Sequence, residues 1–95
     1  MEGKIFSYIH ANGRIGAMVK ISTVTDFAAR TDEFGEFGKN IAMQIVAMDP
    51  ASVEELLDQV FIKNEGTTIE GLAKKISKEL GEKVGIVCFK RYIME

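Results

Sequence analysis

The sequence predicts an α+β fold of two layers, a three-stranded antiparallel sheet in the order β-β-α-α-α-β covered on one face by helices. Three observations predict it. Residues 4–24 alternate along two runs separated by Asn12-Gly13, the pattern of a β-hairpin. Between Thr25 and Leu80 three segments have helical apolar spacing or caps, and after Gly81 the spacing returns to that of a strand. The 95 residues, 46% hydrophobic and 27% charged, suit one globular core, so residues 1–95 are read as a single domain.

Lys4 to His10 forms the first predicted strand, with Ile5, Ser7 and Ile9 on one face and Phe6, Tyr8 and His10 on the other. Asn12-Gly13 tolerates the two positive φ angles of a type I′ turn. Arg14 to Val24 is the return strand, with Ile15, Ala17, Val19 and Ile21 sharing one face. Phe34, Phe37, Ile41, Ile45 and Met48 then follow helical spacing until Asp49-Pro50, where proline discourages continuation. Gly35 and Gly38 weaken this helix by about 1 kcal/mol each relative to alanine, and they leave space for a close neighbour. Ser52 to Glu55 has capping-box spacing and opens a short helix through Leu57. Phe61-Ile62-Lys63 is read as extended or irregular, and Asn64-Glu65-Gly66 as a turn. A second capping box, Thr67 to Glu70, opens a helix whose stripe is Ile69, Leu72, Ala73, Ile76 and Leu80, and Gly81 closes it. The last strand, Val84 to Ile93, places Val84, Ile86, Cys88 and Tyr92 on one side and Val87, Phe89 and Ile93 on the other.

A small sheet apolar on both faces needs a second cover, and a dyad-related copy supplies one economically. Phe6, Tyr8, Cys88 and Tyr92 are the residues expected in such a homodimer interface. The net charge of −2, with both signs interspersed, gives no basic footprint for nucleic acid. One cysteine, Cys88, and one histidine, His10, make neither a disulfide nor a zinc site, so no metal or cofactor is expected. A reducing cytoplasm is the expected location, since the start lacks a signal-peptide pattern and no apolar run nears the roughly 20 residues that span a bilayer.

Catalytic chemistry finds no residues. His10 has no nucleophile or acid set around it, and Cys88 lies in an apolar run. Gly13-Arg14-Ile15-Gly16 sits inside a hairpin and not between strand and helix, as a phosphate loop would. The chain is therefore expected to bind and not to act as an enzyme. At Thr25-Asp26-Phe27-Ala28-Ala29-Arg30 the local reading is a helix cap with Phe27 dropping into the core.

Several segments in order resemble a known family. Tyr8-Ile9-His10-Ala11-Asn12-Gly13-Arg14-Ile15-Gly16 looks like the opening of the core, or dimerisation, domain of elongation factor Ts. Thr25 to Arg30 is similar to that family's T-D-F-V-A-R signature, and Ile41 to Pro50 resembles its I-A-M-Q-I-A-A-M-N-P helix end. Leu56 to Lys63 resembles L-L-E-Q-P-F-I-K, and Gly81-Glu82-Lys83 through Tyr92 resembles the closing strand after G-E-N.

The resemblance implies a guanine nucleotide exchange factor that binds the translation GTPase EF-Tu and promotes GDP release. The alternative is an EF-Tu-binding adaptor without exchange activity. It also implies partner-binding residues Thr25, Asp26, Phe27 and Arg30: Phe27 a wedge, Asp26 a hydrogen-bonding neighbour, Thr25 the holder of the backbone. The departures are an N-terminal helical module and a helical insertion after Pro50, neither of which has a counterpart in this sequence, and Val60 where the family has proline.

Overall fold

The computed structural model describes residues 1–95. In chain order its elements are β1 (Glu2–Ile9), β2 (Ile15–Thr23), α1 (Asp26–Ala29), α2 (Asp32–Met48), α3 (Val53–Asp58), β3 (Val60–Phe61), β4 (Asn64–Thr68), α4 (Ile69–Leu80) and β5 (Gly85–Ile93). The main sheet is antiparallel in the order β1-β2-β5, so β2 is central and the expected fold class holds. The single turn α1, capped by Thr25, is the short helix of the local reading at Thr25 to Arg30, whereas the β3–β4 hairpin is not foreshadowed in the sequence.

β2 reads as its alternation dictates. Ala17, Val19, Ile21 and Thr23 are buried under the helices, while Met18 and Lys20 point to solvent. The connection from β1 is not a two-residue type I′ turn. Of its residues only Gly13 has positive φ, and Gly13 N–H donates to His10 C=O at 2.7 Å, which closes a four-residue turn from His10 to Gly13. Asn12 contributes its side chain, whose Oδ1 accepts from Arg14 N–H.

The facing of β1 corrects the expected dimer surface. Phe6 and Tyr8 lie opposite the inward residues Val19 and Ala17 and pack on the core, with the Phe6 ring edge-on to Phe34 at 5.3 Å. They are not on the open face, because the hairpin register puts Ile5, Ser7 and Ile9 there. Cys88 and Tyr92 do stand on the open side, opposite Lys20 and Gly16. Ile86 does not join them. A bulge at Val87 shifts the register between Lys20 and Ile21, so Ile86 pairs with Ile21 and turns inward.

α2 is the main covering helix. Thr31 caps it by accepting from Phe34 N–H, and Phe34, Phe37, Ile41 and Ile45 form its buried stripe, whereas Met48 is exposed. Asp49 adopts φ 46° at the C-terminus, and Arg91 reaches across from β5 to donate to the Val46 carbonyl from Nε and Nη2 at 3.3 and 3.1 Å. Gly38 lies against Phe6, and a methyl group there would overlap the Phe6 ring. Gly38→Ala should therefore lower stability by about 1–3 kcal/mol in denaturant titration, despite alanine's better helix propensity. A more stable variant would show that β1 yields easily.

The end of α3 and the small hairpin lean on one buried polar side chain. Gln44 is fully buried on α2; its Nε2 donates to Gln59 Oε1 and to Val60 C=O, and its Oε1 accepts from Ile62 N–H at 3.0 Å. The turn of the small hairpin therefore falls at Ile62-Lys63 and not at Asn64–Gly66. α4 starts one residue later than the sequence spacing suggests, because Thr68 and not Thr67 caps it, and Gly81 ends it with φ 72°.

Candidate functional site

β2 leaves the sheet at Thr23, which pairs with Glu2 as the last residue of the β1 ladder. The chain then turns through Val24 and Thr25 into α1. Thr25 is extended (φ −115°, ψ 153°), and its Oγ1 accepts from Ala28 N–H at 3.2 Å, a single-turn helix cap. Thr23 Oγ1 donates to the Thr25 carbonyl at 2.8 Å, and Thr31 Oγ1 donates to the Ala28 carbonyl at 2.9 Å. The segment is thus tied at both ends.

Within that turn Ala28 and Ala29 take the buried positions and Phe27 points outward, 83% exposed. The local expectation that Phe27 drops into the core is wrong for this reason. Two alanines are small enough to seat the turn against the sheet, and the one-turn helix has no room on its inner face for a ring. Val24 beside the junction is exposed as well.

Asp26 and Arg30 sit one turn apart and pair, with Arg30 Nη2 and Nε at 2.6 and 2.8 Å from the same oxygen, Asp26 Oδ2. Both side chains are more than half exposed, so the pair orients Arg30 along the turn without adding much stability. Thr25, Asp26, Phe27 and Arg30 are therefore assembled on one short turn at the edge of the helical layer.

One residue of this site was not anticipated. Glu82, in the turn between α4 and β5, places its carboxylate over the junction: Oε2 accepts from Val24 N–H at 2.6 Å and Thr25 N–H at 2.7 Å, and Oε1 accepts from Thr25 Oγ1–H at 2.8 Å. The Thr25 backbone bond first, with the Thr25 hydroxyl and Val24 N–H adding to it, holds the Glu82 carboxyl below the usual carboxylate range, against a smaller opposing effect of desolvation. Nothing local signals this contact, because Glu82 and Thr25 are 57 residues apart.

Elsewhere the exposed apolar side chains gather on the open face of the sheet, where Ile5, Ile9, Met18 and Tyr92 are all at least half exposed. No three His, Cys, Asp or Glu side chains come together as metal ligands. No helix is long and apolar enough to cross a membrane.

The family model described as elongation factor TS matches residues 1–56, which include the whole junction from Val24 to Arg30. The elongation factor Ts of Oleidesulfovibrio alaskensis is 41% identical over 97 residues, covering 99% of this chain and 49% of that protein. That of Trichodesmium erythraeum is 32% identical over 139 residues, covering 98% of this chain and 64% of that protein. An alignment of 139 residues opens a long gap in a chain of 95, whereas the Oleidesulfovibrio alignment is nearly gap-free. The elongation factor Ts of Desulfosudis oleivorans is 52% identical over a shorter stretch, 52 residues. The chain spans about half the length of the Oleidesulfovibrio protein.

Proposed function

The chain belongs to the elongation factor Ts family of translation factors, and from that premise we propose that it binds EF-Tu through the α1 turn and promotes GDP release. The observation that carries this reading is the Phe27 ring, 83% exposed on a backbone held by hydrogen bonds at both ends. An aromatic side chain displayed on a fixed turn is the form of an interface anchor. Maintaining the fold does not require it.

The activity is displacement and involves no covalent chemistry on this chain. Factor and nucleotide weaken each other's binding by the same free energy. Loosening a bound nucleotide ~10⁴-fold needs about 5.5 kcal/mol of differential affinity. Burying one phenylalanine supplies roughly 2–3 kcal/mol. Phe27 therefore acts with others. Asp26 keeps its Oδ1 outside the Arg30 pair, and a second surface on α4, β5 or a second copy of the chain supplies the rest.

The test is release of a fluorescent GDP analogue from EF-Tu, which this protein should accelerate. A second reading, docking on EF-Tu without exchange, draws support from the chain's spanning only 49% of its Oleidesulfovibrio relative. Binding with unchanged GDP release would select it. A second copy of the chain is the further partner we propose, meeting the open sheet face through Ile5, Ile9, Met18, Cys88 and Tyr92. Sedimentation should then show a mass that rises with concentration, and a constant monomer mass would exclude the dimer.

A further inference from the structure

We propose that Glu82 is the positioning residue of the Phe27 turn, its carboxylate fixing the Val24–Thr25 backbone so that the ring is presented in one orientation. The inference rests on the reading of Phe27 as a partner contact and goes beyond it to the group that sets its geometry.

The need for such a group follows from the topology. The β1 ladder ends at Thr23 and the β5 ladder at Ser22, so the amides of Val24 and Thr25 have no strand to donate to. α1 is a single turn, and one turn of helix does not stabilise itself. Its cap is the Thr25 hydroxyl, which can rotate unless its proton is committed.

Glu82 meets these requirements with one carboxylate. Oε2 takes both orphan amides, and Oε1 takes the Thr25 hydroxyl proton, which leaves the Thr25 lone pair aimed at Ala28 N–H. The two N–H contacts, at 2.6 and 2.7 Å, are shorter than the usual amide bond to a neutral oxygen, as bonds to a charged acceptor are, and the hydroxyl contact at 2.8 Å has ordinary O–H···O length. The lowered Glu82 carboxyl is the expected companion of such bonds. Glu82 stands on a firm base. Its own N–H donates to Ser77 C=O at 3.1 Å after the Gly81 cap, and Ser77 Oγ accepts from Val84 N–H at 2.9 Å on the far side of the turn. Three of the carboxylate's roughly four acceptor positions are taken within the chain. Glu82 acts through Phe27 and does not touch the partner.

A loosened turn populates the productive orientation only part of the time, which weakens apparent affinity in proportion while leaving the saturated rate alone. In Glu82→Ala the amides of Val24, Thr25 and Ala28 should exchange with solvent about tenfold faster, while those of Ile21, Phe34 and Ile45 keep their protection. The concentration of this protein giving half-maximal GDP release from EF-Tu should rise about tenfold with the plateau unchanged. Glu82→Gln, which retains an oxygen for the two amides, should restore most of both. In a Phe27→Ala background Glu82→Ala should add no further loss. Unchanged exchange at Val24 and Thr25 would overturn the proposal, and so would an additive loss in the double variant, which would make Glu82 a direct contact. If the parent protein leaves GDP release unchanged, the function proposed above fails, and amide exchange alone decides whether Glu82 holds the turn.

Discussion

Phe27→Ala should lose most of the acceleration of GDP release from EF-Tu and remain as stably folded as the parent. The two halves of this expectation have separate causes. The ring is 83% exposed and rests on no core residue's behalf, so its removal creates no cavity and should change stability by no more than about 0.5 kcal/mol. At an interface the same ring would be buried, and losing roughly 2–3 kcal/mol of burial weakens binding on the order of 30- to 150-fold. Fluorescent GDP release across a concentration series measures the second effect, and thermal unfolding measures the first. Equal activity of parent and variant would refute the wedge. A large drop in melting temperature would show instead that the ring is held within the fold.

The second large effect lies far from the partner site. Gln44→Leu keeps the volume on α2 but removes every polar partner that Gln44 offers. Ile62 N–H and Val60 C=O then lose their bonds beside an apolar core, and each such loss costs about 1–3 kcal/mol. We expect a total of about 2–4 kcal/mol, a large fraction of the stability of a domain this size. The melting temperature should fall by roughly 10–25 °C, since each kcal/mol shifts a small domain by several degrees. A shift below about 3 °C, followed by circular dichroism, would mean that β3 and β4 hold without Gln44. Activity at low temperature should persist, which separates this variant from Phe27→Ala.

The parts legible in the sequence are those in which one face is plainly apolar and the other plainly polar. β2 shows this along Val19 to Ser22, where Lys20 and Ser22 alternate with Val19 and Ile21, and so does α4 between its threonine cap and Gly81. β1 does not. Ile5 and Ile9 compete with Phe6 and Tyr8 for the core, so alternation alone leaves its facing open, and the register with β2 decides it. In β5 the bulge at Val87 reverses the parity for residues before it, and no residue type announces it. The β3–β4 hairpin is too short to carry a period, and it exists because a glutamine 15 to 18 residues earlier ties it down. The site divides the same way. Resemblance singled out Thr25 to Arg30, whereas the direction of Phe27 depends on two small neighbours packing inward, and the role of Glu82 depends on where α4 stops.

The central position of β2 bears on how the protein is made. Strand β2 is synthesised early, but one of its two neighbours, β5, comes only with residues 85–93, and Glu82 shortly before them. Pairing across so long a loop is slow, because closing the loop precedes any gain from contacts. The Phe27 turn thus emerges from the ribosome without its ladder partner or its carboxylate, and it matures only when the last strand docks. A nascent chain displays the ring long before it can use it.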